Sequence, residues 1–232
     1  MGPRWKGKDL EAKALANPMS EIVLQLQNYL KSSNTTAKLS GSTVILPMKM
    51  EEANLLVSAG FGHPITTSER TKQWFQLGME EAFFLSTFLN CLNFVDYKGT
   101  PKTEMETWES MISSKGEFFI LFVGYSHLRK KNWVVRPGSQ YGVDFVVYRH
   151  HPSMVHSEYA VIVLSEQDKE NDRLKVWSDV YGAMRLSGSV AKTLLILDIT
   201  KNGNDSASPW SLNNYIIEER TLTRFIPEQN RE

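Results

Sequence analysis

Three side chains at the ends of apolar segments, Tyr148, His156 and Lys192, could together move protons and hold charge at a phosphodiester. RNA carries its own nucleophile, the 2′-hydroxyl. An enzyme that cuts it needs a base to take that proton and an acid to protonate the departing 5′-oxygen. It also needs fixed positive charge where the phosphorane becomes more negative. A phenol, an imidazole and an ammonium can fill those roles in that order, without a metal. The phenol is the awkward member. Its ordinary pKa of about 10 makes it a poor base near neutrality unless a neighbouring cation lowers that value. Residue types alone also admit plainer readings. A Tyr at a strand end commonly packs at the rim of a core, a His before a strand commonly belongs to a loop, and a Lys beside a strand is commonly a solvated charge.

The elements that must position these groups can be read from the pattern. Residues 143–149 are β-branched and aromatic, and alternation predicts Val143, Phe145 and Val147 on one face of a strand. Residues 157–164 are apolar at nearly every position, as in a strand buried on both sides. Between them residues 150–156 are polar and broken by Pro152. The pattern predicts a hairpin that brings Tyr148 and His156 to one end of a sheet. Lys192 opens a further apolar strand over 193–199, after a helix over 174–188 that carries Arg185. His150, His151 and His156 invite a zinc reading, but no Cys lies near and no carboxylate has ligand spacing. Arg149, His150 and His151 are expected instead to present positive or hydrogen-bonding groups to RNA.

This block resembles the catalytic domain of the tRNA-splicing endonucleases, the tRNA-intron endonuclease family. Within that family it is most similar to the eukaryotic catalytic subunit that cuts at the 5′ splice site. The residues that carry the likeness are Tyr141-Gly142-Val143-Asp144, Tyr148, His156-Ser157-Glu158-Tyr159 and Ser189-Val190-Ala191-Lys192. Upstream, the run from Gln76 to Leu85, QLGMEEAFFL, resembles the family's N-terminal domain. The resemblance implies cleavage of intron-containing precursor tRNA to a 2′,3′-cyclic phosphate and a 5′-hydroxyl. It implies Tyr148 as base, His156 as acid and Lys192 as stabiliser of the phosphorane, with no cofactor. It implies a heterotetramer of this chain, a second catalytic subunit and two structural subunits. Arg185 matches a family arginine. Arg224 matches another, with Phe225 after it where the family has Trp, and both arginines are expected as RNA contacts.

The rest of the chain sets bounds. The fold class expected is α/β: an N-terminal arm with a short helix over 1–40, a small α/β domain over 41–110, and a catalytic domain with a mixed sheet and flanking helices over 111–232. Lys and Arg number 26, as do Asp and Glu, so the formal charge is zero. That argues against a general RNA-binding module, which usually shows a basic excess. A non-cutting structural subunit of the same assembly is the other alternative, and a full Tyr, His and Lys set argues against it. The single cysteine, Cys91, reads as a buried thiol in a reducing compartment. No stretch has the length of a membrane-spanning helix, so no membrane partner is expected and the location expected is nuclear, or also cytosolic. Arg4, Lys6 and Lys8 lie in a polar arm that is either flexible or in contact with RNA or a partner.

Residues 31–42 read as a polar loop, 42–49 as a strand that Pro47 pushes towards an edge, and 76–92 as the main helix of this half. Helices over 103–113 and 116–130 follow, the second ending in Arg129, Lys130 and Lys131. Those cations either suit the helix dipole or form a phosphate patch. Strands are expected over 133–136, 214–219 and 222–226.

Overall fold

The computed structural model describes residues 2–50, 53–67, 71–165, 174, 176–190, 193–202 and 211–223. The chain opens with α1 (Leu10–Ala16) and α2 (Met19–Ser33). Met19, Ile22, Leu26 and Leu30 recur every three or four residues and form the buried stripe of α2. The helix ends where Asn34 takes a left-handed conformation.

The first sheet follows, with β1 (Thr36–Ser40), β2 (Thr43–Lys49), α3 (Ala53–Ser58), β3 (His63–Ile65), β4 (Lys72–Gly78), α4 (Met79–Thr87), β5 (Asn93–Val95) and β6 (Pro101–Lys102). Its strand order is β3-β4-β2-β1-β5-β6, and β1 and β5 are its parallel pair. Three expectations change here. The polar stretch taken as a loop contains β1, which buries only Ala37 fully and is held by ladders on both sides. Pro47 sits in an interior strand. It is tolerated because β1 pairs with β2 only from Thr43 to Ile45, so no ladder bond to β1 needs an N–H at Pro47. Residues 76–78 end β4 rather than begin a helix. Phe75 and Leu77 alternate into the core, both fully buried, and α4 starts at Met79.

The second half comprises α5 (Glu104–Ser114), α6 (Phe118–Lys130), β7 (Val134–Pro137), β8 (Phe145–Tyr148), β9 (Tyr159–Ser165), α7 (Trp177–Val190), β10 (Thr193–Lys201) and β11 (Tyr215–Leu222). Thr103 and Glu106 cap α5 reciprocally, each accepting from the other's backbone N–H. The strand order is β11-β10-β9-β8-β7, antiparallel except for β9 beside β10. That parallel pair requires a crossover, which α7 supplies. The strand expected over 214–219 is present as β11, which runs on through Leu222. Residues 224–226 lie outside the described residues.

This sheet is covered on both faces. Phe145, Val147, Val161, Val163, Leu195 and Leu197 join the main core, where α6 packs. Gly124 of α6 allows close approach, because a Cβ there would sit 3.0 Å from Val163 Cγ2. Val146, Ala160, Ile162 and Leu194 form a second cluster with Ala183 and Met184 of α7. Val143 joins this second cluster, so it does not share a face with Phe145 and Val147. It precedes β8, just after Gly142 turns the chain with φ +68°, and strict alternation starts only at Phe145. The two sheets meet through α4 and α6, where the ring centres of Phe83 and Phe122 are 5.0 Å apart and those of Phe84 and Tyr125 5.8 Å.

Candidate active site

The hairpin expected from the pattern is present. Val147 pairs with Tyr159, Val146 with Ala160 and Phe145 with Val161. The Glu158 N–H donates to the Val147 carbonyl at 3.0 Å. Tyr148 therefore ends β8 at the same end of the sheet that His156 approaches. Thr193, the residue after Lys192, opens β10 in register with Tyr159 at that end. Lys192 itself lies outside the described residues.

The Tyr141–Asp144 motif has a structural use. After the turn at Gly142, the Asp144 N–H donates to the Val161 carbonyl at 3.0 Å, and Asp144 Oδ2 accepts the Val163 N–H at 2.8 Å. The carboxylate thus continues the β8–β9 pairing where the backbone of β8 has turned away. Register is pinned at one end of the hairpin while Tyr148 is presented at the other.

Tyr148 is half-buried and lines a cleft of about 500 Å³ with Tyr141, His151, Arg136, His63 and Gly62. Its phenol is pushed above the ordinary value, first by burial and then by the neighbouring Tyr141, with Arg136 opposing. The cation that would make Tyr148 a ready base is thus outweighed among these groups, and the phenol is protonated at neutral pH. The two imidazoles of the cleft are held below the usual His value. Burial is the larger cause for His63, followed by Arg136. For His151 it is burial, then Arg136, His150 and Lys6. Both are neutral at pH 7 and serve as hydrogen-bonding groups rather than cations. A shallower depression of about 520 Å³ around Lys102 and Glu106 shares no lining residue with this cleft.

The opposite wall comes from the first sheet. Gly60 and Gly62 both have positive φ, and a Cβ on Gly60 would lie 2.5 Å from Val134 Cγ1, so only glycine fits there. Arg136 Nη1 donates to the carbonyls of Gly60 at 3.2 Å and Gly62 at 3.0 Å, and lies 3.6 Å from Glu81 Oε1. Glu81 in turn accepts from the N–H groups of Gly78 at 2.9 Å and Gly62 at 3.3 Å. Its carboxyl is raised because burial outweighs Arg136. The QLGMEEAFFL segment therefore reaches the site by fixing the loop that faces Tyr148. His63 and Arg136 were not legible as site residues, since neither stands in a motif and a long-range pairing of sheets brings them together.

The expected RNA contacts separate. Arg185 is exposed on α7. Arg149 has a half-exposed side chain, bonded to Glu158 at 3.0 Å and lying over the Trp133 ring at 4.1 Å. His151 lines the cleft. His150 does not face outward as expected. It is 6% exposed, and its Nε2 donates to the Asn17 carbonyl at 3.0 Å, so it ties the hairpin loop to the end of α1. Arg224 lies outside the described residues. Arg129 is no phosphate contact either, being buried between the sheets. Among the described residues no group of three His, Cys, Asp or Glu side chains could hold a metal ion.

Comparison with known proteins finds family domains in both halves of the chain. Residues 118–206 match the family model of the tRNA intron endonuclease catalytic C-terminal domain, and residues 35–108 that of the tRNA intron endonuclease N-terminal domain. The chain is 49% identical to tRNA-splicing endonuclease subunit Sen2-1 of Arabidopsis thaliana, over 100% of this chain and 98% of that protein. It is 46% identical to the probable subunit Sen2 of Oryza sativa subsp. japonica, over 100% of this chain and 82% of that protein. The subunit Sen2 of Mus musculus is 30% identical over 70% of this chain and 36% of its own length. With both family domains in order and a full-length relative at 49% identity, this chain belongs to the tRNA intron endonuclease family.

Proposed function

We propose that this chain is the catalytic subunit that cuts intron-containing precursor tRNA at the 5′ splice site. The 2′-oxygen at the junction attacks the adjacent phosphorus, the bond from phosphorus to the 5′-oxygen breaks, and a 2′,3′-cyclic phosphate and a 5′-hydroxyl result. Tyr148 takes the 2′-hydroxyl proton, His156 protonates the departing 5′-oxygen, and the ammonium of Lys192 balances the phosphorane's charge. These three groups supply base, acid and charge, so the reaction needs no metal. The observation that carries the reading is the hairpin register, which brings the chain at Tyr148 beside the approach to β9 that holds His156. The likeness to Sen2 subunits supports tRNA introns as the substrate and partner subunits as a requirement.

The raised phenol shapes the mechanism. The reactive form, a phenolate opposite an imidazolium, is a minor population at neutral pH. Cleavage then proceeds through that minor population, in which the phenolate takes the 2′-hydroxyl proton as the 2′-oxygen attacks, or follows a lowering of the phenol by the ammonium of Lys192. We further propose a four-subunit assembly, with a second catalytic subunit and two structural ones, working in the nucleus.

The test is incubation of the assembled complex with precursor tRNA in excess EDTA, followed by analysis of the new ends. Undiminished cutting that leaves cyclic phosphate and 5′-hydroxyl ends is the expected result. Cutting that stops in EDTA and returns with a divalent ion, or leaves 3′-hydroxyl ends, would overturn the proposal.

A further inference from the structure

The loop that delivers His156 is not held by its own hairpin alone. Residues 4–6 lie antiparallel against residues 154–156. The Lys6 N–H donates to the Met154 carbonyl at 2.9 Å, the His156 N–H donates to the Arg4 carbonyl at 3.0 Å, and Trp5 pairs with Val155 between them. Val155 is fully buried beneath this contact. The Trp5 indole Nε1 is also buried, without a hydrogen-bond partner among the described residues, so the ring is held there by packing. A second tie is made at the other end of the loop, where His150 Nε2 meets the Asn17 carbonyl. The segment from Arg4 to Asn17 thus grips the ten-residue connection from β8 to β9, residues 149–158, towards both of its ends.

We propose that residues 4–6 are a positioning strap for His156: the backbone pairing and the Trp5 ring fix the main chain of the general acid, and the strap acts on the chemical step rather than on RNA affinity. This rests on the assignment of His156 as the acid. A backbone hydrogen bond to the acid's own N–H sets where its Cα sits, and misplacing a catalytic group by about 1 Å can cost up to roughly 10²-fold in rate. The strap works through main-chain atoms and one apolar ring. That distinguishes it from an arm that grips RNA through the charges of Arg4, Lys6 and Lys8.

Single-turnover cleavage by the assembled complex, at saturating enzyme, tests this alongside precursor-tRNA affinity and subunit assembly. Trp5→Ala is expected to slow cleavage roughly 10- to 100-fold with affinity and assembly unchanged, and Trp5→Phe to restore most of the rate. Lys6→Pro, which deletes the N–H that reaches Met154, is expected to slow cleavage more than Lys6→Gln, which keeps it. In a His156→Ala background Trp5→Ala should cost nothing further, because the group it positions is gone. The proposal is overturned if Trp5→Ala weakens RNA binding at an unchanged cleavage rate, if it is silent while His156→Ala is slow, or if it slows both backgrounds equally. A near-normal rate for His156→Ala itself would overturn the acid assignment, and the strap with it.

Discussion

The guanidinium of Arg129 lies 3.8 Å from the ring centre of Phe61, at the junction of the two sheets. The same group donates to the carbonyls of Ala59 at 3.3 Å and Gly60 at 3.1 Å and, through Nε, to the Tyr125 hydroxyl at 2.9 Å. A planar fork on an aromatic face satisfies carbonyls that precede the Gly60–Gly62 wall of the cleft. Lysine has neither the fork nor the flat stacking surface. Arg129→Lys is therefore expected to lower unfolding stability by about 1.5–3 kcal/mol, read as a fall in the urea midpoint. An unchanged midpoint would mean that the fork and the stacking of Arg129 add nothing measurable to the junction.

Asp144 is expected to matter through geometry rather than through its charge. Asp144→Ala leaves the Val163 N–H without its acceptor and should cost about 1–3 kcal/mol. Asp144→Asn retains an acceptor oxygen and should recover most of that loss. Equal destabilisation by both variants would point to the carboxylate charge instead.

Cys91 is buried and its Sγ donates to the Leu85 carbonyl at 3.3 Å. Burial pushes its thiol up to about 12 from an ordinary 9.0. The folded protein should resist iodoacetamide at pH 8, while the urea-unfolded chain reacts readily. Between pH 9 and 12 the unfolded chain loses this proton and the folded one keeps it, so stability falls as pH rises through that window. Urea midpoints measured from pH 8 to 10.5 should fall more steeply for the wild type than for Cys91→Ala. Parallel slopes would contradict the shift.

The raised phenol of Tyr148 makes a directional prediction. Replacing it with a ring-fluorinated tyrosine, whose phenol is more acidic, should increase single-turnover cleavage at pH 7, because more of the base is ionised. Tyr148→Phe should lower it roughly 10²–10⁴-fold. A slower fluorinated enzyme would contradict the assignment of Tyr148 as the base.

Much of this arrangement was legible in the chain, and the reasons are local. The period-two run around Val147 and the fully apolar run from Ala160 to Val163, separated by Pro152, specify a hairpin by pattern alone. The boundary at Gly78 was not legible, because Leu77 satisfies a helical period and an alternating one equally well, and only pairing with Val44 decides it. β1 was hidden by its polar composition, since the sheet needs little from it beyond Ala37. At the site, Tyr148 and His156 stood out through motif and spacing. The burial of His150, the clamp of Arg4 on His156 and the placing of Arg136 across the cleft each depend on residues more than 70 positions apart, where no short-range signal exists.

Whether this chain makes the 5′ cut with His156 as acid is decided by single-turnover cleavage of an end-labelled precursor tRNA by the complex carrying His156→Ala. The expected result is a loss of roughly 10²–10⁴-fold at the 5′ junction, with the 3′ exon still released and the joined 5′ exon and intron accumulating. Accumulation of intron joined to the 3′ exon would assign the chain to the other junction, and cutting of both junctions at the wild-type rate would rule out His156 as the acid.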